Sequence, residues 1–315
     1  MGRNWGHLLI ADTHHRHAAQ PCCEDEPVSF HYRVPKRFTD LNAGGHVDHG
    51  ALIDYLQEAR TEFLLSAPGP MPAMLDSGVL VTGHWVEYLA PIGYRTPAVD
   101  AEVWVDQVGG ARFSISYRLS DAHVPVVQAR TFLVPYDLTE GKLRRLTDQE
   151  RDLLSAAVAD PVPVQPLGKV RPADLAVAAT MPCRTRWADL DSYRHVNNVK
   201  FFDYFGQGRL ELLAGAGPVG PGEPWVVARQ DLDYRVPIDF RREPYQVRTG
   251  VVRVGTSSVE FVADIVDGSA GADGRSLATA RSVVVSVDPH GRPQPITAAV
   301  RDLLAARQAA VEVAD

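Results

Sequence analysis

Asp189, Asp191, His195, Asn197 and Asn198 share one short run, Asp189 to Asn198, reading DLDSYRHVNN. Two acids, a histidine and two amides stand there immediately before an apolar stretch of helical length, Val199 to Leu213. The start of a helix offers backbone N–H groups without intrahelical acceptors, together with the positive end of the helix dipole. Such a terminus can polarise a carbonyl and hold the oxyanion that forms when it is attacked. A carboxylate beside it can attack the carbonyl as nucleophile or draw a proton from water. Acyl transfer to water is the chemistry these residue types fit. A thioester suits them better than an amide, because a thiolate leaves without a strong acid to protonate it.

The elements that must position this run occur twice. Arg37 to Leu65 laid over Arg186 to Ala214 at a constant offset of 149 gives ten identities in 29 positions. Among them are Asp40/Asp189, Leu41/Leu190, His46/His195, Tyr55/Tyr204 and Arg60/Arg209. Chance gives about two, so the chain carries an internal duplication. Both halves continue with alternating stretches such as Phe113, Ile115 and Tyr117, the pattern of strands with one buried face. Each unit is therefore α+β: a strand, an acid-bearing loop, one long helix, then antiparallel strands. The helix from Val199 to Leu213 is apolar on nearly all sides and is expected to be buried all round. A curved antiparallel sheet wrapped around a central helix meets that need; an ordinary α+β sandwich is the plainer alternative. The expected division is a mobile N-terminal tail over 1–26, a first domain over 27–159, a Pro-rich linker over 160–177 and a second domain over 178–315.

Composition narrows the function classes. A formal net charge of −7 argues against nucleic acid as partner, because phosphate binding needs clustered cations. No apolar run is long enough to span a membrane, and Leu8-Leu9-Ile10 is too short for a signal-peptide core. Three cysteines, two of them adjacent, make no disulfide framework, and a reducing cytoplasm fits. His14, His15, His17, Cys22 and Cys23 match no ordered zinc spacing, so neither a metal nor a redox cofactor is expected.

The D-x-D…H-V-N-N run before a long aromatic helix ending in Gly208-Arg209-Leu210-Glu211 resembles the hotdog-fold thioesterases of the 4-hydroxybenzoyl-CoA thioesterase type. It is similar also to the plant acyl-ACP thioesterases, which are tandem hotdogs. The resemblance covers both halves. It implies that Asp191 holds the family's catalytic carboxylate position, that His195 matches the histidine of the plant-type motif, and that Tyr193 stands where that motif has asparagine. It also implies sites at the interface of paired hotdogs. At the position of Asp191 the first half has Asn42, an amide that cannot serve as nucleophile or base. Asp48 and His49 replace Asn197 and Asn198. One competent site and one degenerate site are therefore expected. Asp191, His195 and Asn198 are the expected catalytic residues, and Tyr193, Val199, Asn42, His46 and His49 are expected to contact substrate.

Plainer roles compete for most of these residues. Aspartate and asparagine are favoured helix caps, which would serve for Asp191, Asn197 and Asn198. Asp189 recurs as Asp40 where the other acid is lost, which favours a structural role, such as pairing with Arg186 and Arg37. Arg60 with Glu62 and Arg209 with Glu211 read as surface or inter-domain contacts. Arg229, Arg235, Arg241 and Arg242 fit coenzyme A phosphates or solvated strand ends. The leading expectation is hydrolysis of an acyl thioester, acyl-CoA first, by a monomer acting as a pseudo-dimer or by a homodimer. Carrier-protein thioesters and a non-catalytic acyl-CoA binding module are the alternatives; no His/Asp pair supports a hydratase.

Overall fold

The computed structural model describes residues 29–215, 225–268 and 274–308. The tail expected over 1–26, with its histidines and cysteine pair, lies outside the described residues. The first half runs β1 (Phe30–Pro35), a 3-10 turn (Phe38–Asp40), α1 (His49–Ser66), α2 (Met71–Ser77), β2 (Val79–Tyr88), β3 (Ala98–Val108), β4 (Phe113–Asp121), β5 (Val124–Asp137), β6 (Lys142–Leu143) and α3 (Asp148–Ala156). The second half runs β7 (Ala179–Cys183), a 3-10 turn (Trp187–Asp189), α4 (Lys200–Ala214), β8 (Trp225–Tyr234), β9 (Tyr245–Val254), β10 (Ser258–Val266), β11 (Ser276–Ser286) and α5 (Ala298–Ala305). The α+β architecture read from the duplication is what the chain forms, with one long helix against each half of an antiparallel sheet.

That sheet is continuous through both halves, in the order β1-β3-β4-β5-β2-β8-β11-β10-β9-β7, with β6 on β5. The halves meet where β2 pairs antiparallel with β8, Gly83 opposite Asp233 and Glu87 opposite Arg229. Beneath the seam one apolar core contains Ile53, Leu56 and Tyr117 of the first half and Phe202, Phe205 and Ile265 of the second. Each large apolar side chain buried there stabilises by about 1.5–3 kcal/mol over exposure, so the seam is part of the core.

The long helices start from equivalent caps. The Asp48 carboxylate accepts from Gly50 N at the head of α1 (2.9 Å), and Asn197 Oδ1 accepts from Val199 N ahead of α4 (3.2 Å). The helix proper of α4 begins at Lys200, with Val199 at the N-cap position. Gly208 lets α4 lie against β9, since a Cβ there would meet Thr249 Oγ1 at 2.5 Å. Burial is less complete than its apolar content predicts, for Leu210 is 48% exposed.

The Pro-rich stretch between the halves is packed rather than free. It crosses the sheet face opposite the helices, with Val162 and Val164 buried against Trp104. Trp104 Nε1 donates to Asp160 O, Val162 N to Ser116 Oγ, and Leu167 N to Asp231 Oδ2. Among the described residues no helix is long and apolar enough to cross a membrane.

Candidate active site

Asp191 sits in a tight loop closed by the bridge between Leu190 and Val196. Its Oδ1 accepts from the backbone N–H of Tyr193 (2.8 Å) and of His195 (3.3 Å). Oδ2 accepts no hydrogen bond among the described residues. Burial pushes the Asp191 carboxyl above the usual carboxylate range, against the two backbone donors, which pull it down. Asp189, three residues into the 3-10 turn, accepts from Arg186 N (2.7 Å) and from Tyr204 Oη (2.7 Å). Asp40 does the same with Arg37 N and Tyr55 Oη. The repeated acid is thus structural, as its recurrence implied, but its partners are a backbone N–H and a tyrosine, not the arginine side chains.

Both halves build the cavity that Asp191 faces. Its volume is about 670 Å³, within the range of small-molecule sites. From the second half come Asp191, Tyr193, His195, Asn198, Phe201, Tyr234 and Arg235. From the first come Gln57, Arg60 and Thr61 of α1, Leu75 and Asp76 of α2, and Val79 to Thr82 of β2. Tyr193 joins the two walls. Its hydroxyl donates to Leu75 O (2.7 Å) and accepts from Val79 N (3.4 Å), while its backbone N–H holds Asp191.

Asn198 is held from all sides. Its carbonyl accepts from Tyr234 Oη (2.8 Å), its Nδ2 donates to Gln57 Oε1 (3.3 Å) and Asn197 Oδ1 (3.1 Å), and its Oδ1 meets His84 Nε2 at 3.0 Å. His84 is fully buried, and burial lowers it to about 3, aided by the nearby Arg60 charge, so it is neutral at physiological pH. An amide oxygen only accepts, so Nε2 carries the proton and Nδ1 accepts from Thr131 Oγ1 at 3.0 Å. The relay Thr131–His84–Asn198–Gln57 therefore crosses the seam twice. At the head of this loop the Asn198 backbone N–H has no acceptor among the described residues, whereas those of Val199 and Lys200 bond to Asn197.

His195 lines the cavity with its ring edge toward Asp239, Nε2 to Oδ1 at 3.9 Å. Val199 does not line it; its side chain is buried in the core. Asn42, His46 and His49 also lie away from it, at the equivalent place in the other half. There Asn42 Oδ1 accepts from Gly44 N (2.9 Å) and His46 N (3.3 Å), and His49 Nε2 meets Arg209 Nη2 at 3.2 Å. Arg60 and Arg209 are not surface groups: they are 6% and 5% exposed, at the junction of the halves. Of the four arginines considered for phosphate, Arg235 stands at the cavity; Arg229 bonds the linker at Gln165 O, and Arg241 pairs with Asp267. Sequence reading missed His84 and Gln57. Period-two alternation places His84 on one face with Val86 and Tyr88, which marks it as core-facing; its partner on the other half is a tertiary fact.

A family model described as the thioesterase-like superfamily matches residues 36–167 and again 185–306. A putative esterase of Aquifex aeolicus (strain VF5) is 30% identical over 106 residues, 33% of this chain and 82% of that protein. The 12:0-ACP thioesterase from Umbellularia californica matches with a TM-score of 0.63 at 16% identity, covering 82% of this chain and 94% of its own. An acyl-ACP thioesterase from Bacteroides thetaiotaomicron VPI-5482 gives 0.60 at 14% identity, covering 81% and 97%. At those identities the two structures share the fold, and they do so across nearly their whole length.

Proposed function

The chain belongs to the thioesterase-like superfamily, and on that premise we propose that it hydrolyses acyl-CoA thioesters at the cavity between its halves, with Asp191 as the reacting carboxylate. It is a thioester hydrolase by membership; the acyl-CoA preference and the residue roles are inferred. The observation that carries them is the Asp191 side chain itself, gripped through Oδ1 and, among the described residues, unengaged at Oδ2 on a cavity wall.

In this reading Asp191 Oδ2 takes a proton from water as the water oxygen adds to the thioester carbonyl carbon. The oxyanion so formed is held by the Asn198 N–H, which has no acceptor among the described residues and belongs to a residue fixed by the side-chain relay. Collapse breaks the carbon–sulfur bond, and the proton on Asp191 passes to the departing thiolate. Direct attack by Asp191, through an anhydride, begins from the same ionised carboxylate. The second half, 178–315, supplies the reacting loop; the first, 27–159, supplies the opposite wall and keeps a degenerate site at Asn42. The seam completes one cavity within one chain, so a monomer suffices for catalysis.

Carrier-protein thioesters are the second reading, favoured by the matches to acyl-ACP thioesterases of the same tandem length. The test is thiol release from acyl-CoAs and the matching acyl carrier proteins, native protein against Asp191→Asn. Release from CoA esters that vanishes in the variant supports the proposal. Release from carrier thioesters alone moves the substrate to the second reading, and release undiminished in Asp191→Asn removes Asp191 from the mechanism.

A further inference from the structure

Arg60 and Arg209 are the same residue of the repeat, yet their partners differ. Arg209 has two: Nη2 meets His49 Nε2 at 3.2 Å and Nη1 donates to Ser282 Oγ at 3.4 Å. Arg60 has one hydrogen bond among the described residues, a long one from Nη1 to Tyr117 Oη at 3.4 Å. No described carboxylate lies within ion-pairing distance of it. The cause is the exchange of His49 for asparagine at the equivalent place, Asn198. That side chain gives its oxygen to His84 and its Nδ2 to Gln57 and Asn197, and it makes no hydrogen bond to Arg60.

A guanidinium taken from water without an anion or acceptors is unfavourable, and it cannot escape by losing its proton. Arg60 is 6% exposed, and its open side is the cavity that Asp191 faces. Gln57, one turn before Arg60 on α1, and Thr61, the residue after it, line the same cavity. Val79 to Val81 with Leu133 and Val134 add an apolar stretch to the same lining, which also carries Asp76 and Arg235. The cavity thus accepts hydrocarbon and presents Arg60 with no described carboxylate paired to it.

We propose that Arg60 is the anion-binding residue of this cavity and takes a carboxylate of the acyl component, at its far end in an ω-carboxyacyl thioester or at the end that hydrolysis releases. Planar guanidinium matches planar carboxylate through paired N–H groups, which an ammonium cannot copy. The proposal rests on the cavity being the acyl site.

Calorimetric titration of the whole protein with hexanoate, adipate and neutral hexanamide tests it. Native protein is expected to bind at least one of the acids ~10-fold more tightly than the amide, as a charge-assisted pair should. Arg60→Gln is expected to lose that preference, Arg60→Lys to keep part of it, and hexanamide binding to stay level in both. Loss on hexanoate assigns the released carboxylate; loss on adipate alone assigns the far end. Equal binding of acid and amide by native protein, or an acid preference kept in Arg60→Gln, overturns the proposal. The first comparison needs no variant, so a poorly folding Arg60→Gln leaves the test intact. Arg60-dependent acid binding in a protein that releases no thiol would keep this inference and remove the thioesterase reading of the cavity. Thiol release without acid preference would do the reverse.

Discussion

Asp191 and Asn42 close the same turn in the two halves, each with Oδ1 on the backbone N–H groups two and four residues ahead. The distances are 2.8 and 3.3 Å for Asp191 and 2.9 and 3.3 Å for Asn42. The loop needs an acceptor at Oδ1 and is indifferent to what stands at the other terminal atom. A carboxylate in the second half therefore adds an ionisable oxygen facing the cavity without altering the turn.

Asp191→Asn should then separate activity from stability. Turnover is expected to fall by about 10³-fold, the range for loss of a general base, while the melting temperature at pH 7 holds or rises. The sign follows from the raised carboxyl. A folded-state value above the unfolded one favours the protonated form, so its contribution is present at low pH and lost as pH rises through the folded value. At pH 7 the ionised, half-buried group is the less favourable one, and the amide removes it. The advantage of the variant should shrink on acidification toward about pH 4, near the ordinary aspartate value. A variant that melts well below native at pH 7 would show that the turn does depend on the charge.

With Asp191 as the proposed base, the same shift is expected to set the acid limb of the reaction. kcat/KM is expected to rise with pH through one ionisation lying above the ordinary ~3.9 of aspartate, because only the ionised Asp191 can accept the proton. His84 cannot supply this limb, since its own value is about 3 and its ring is fully buried. A pH–rate profile measured on native protein and on the residual rate of Asp191→Asn decides the matter. A limb that survives in the variant belongs to another group.

Tyr193→Phe should loosen one cavity wall without touching the carboxylate. The hydroxyl bridges Leu75 O and Val79 N of the other half, while the backbone N–H that holds Asp191 is unaltered. Losing it leaves a carbonyl short of a donor, worth about 1 kcal/mol, and lowers the melting temperature by a few degrees or less. KM is expected to change across acyl lengths more than kcat does, because α2 forms part of the cavity. Steady-state kinetics on a chain-length series reads this; a uniform loss of kcat with unchanged KM would place Tyr193 in the chemistry instead.

Much of this arrangement was legible in the residues, for reasons that can be stated. Asp189 and Asp40 recur because each caps a turn and takes a tyrosine hydroxyl, and a local motif repeated at a fixed offset is visible in one chain. Asp191 stood out because the repeat supplied its own comparison, Asn42. Hidden were the contacts across the seam. His84 meets Asn198, and Tyr193 meets Leu75, over more than a hundred residues of sequence. Neither carries any local periodicity. For Arg60 the residues left surface and inter-domain contact both open; burial at the junction of the halves decides for the second, and no local pattern could have chosen between them. The Pro-rich linker gave no pattern because it is held by single contacts to the sheet rather than by a ladder.

One of those linker contacts is pH-sensitive. Leu167 N donates to Asp231 Oδ2 at 2.5 Å, and burial raises the Asp231 carboxyl to about 6. Again the folded value exceeds the unfolded one, so this group stabilises the fold below about pH 4 and loses that contribution as pH rises through about 6. Between pH 5 and 8, native protein is expected to lose about 1.4 kcal/mol relative to Asp231→Asn. Urea denaturation of both proteins at the two pH values measures the difference. A constant difference would mean that Asp231 is already ionised and compensated at pH 5.

Arg194 holds a left-handed conformation, φ 66°, at the place where the first half has Gly45 at φ 75°. Left-handed backbone is unfavourable by about 1–2 kcal/mol for a side-chain-bearing residue, while glycine loses more entropy on folding by about 0.5–1 kcal/mol. The difference favours glycine, and Gly45 shows that this turn accepts it. Arg194→Gly is therefore expected to stabilise the protein by about 0.5–1 kcal/mol, with kcat unchanged because the Asp191 hydrogen bonds come from residues 193 and 195. Thermal denaturation with a parallel kcat measurement checks both halves of the claim. A lower melting temperature would mean that the Arg194 side chain stabilises the loop by more than its backbone strain. A loss of kcat would mean that the strain is what holds Tyr193 and His195 N–H on the carboxylate.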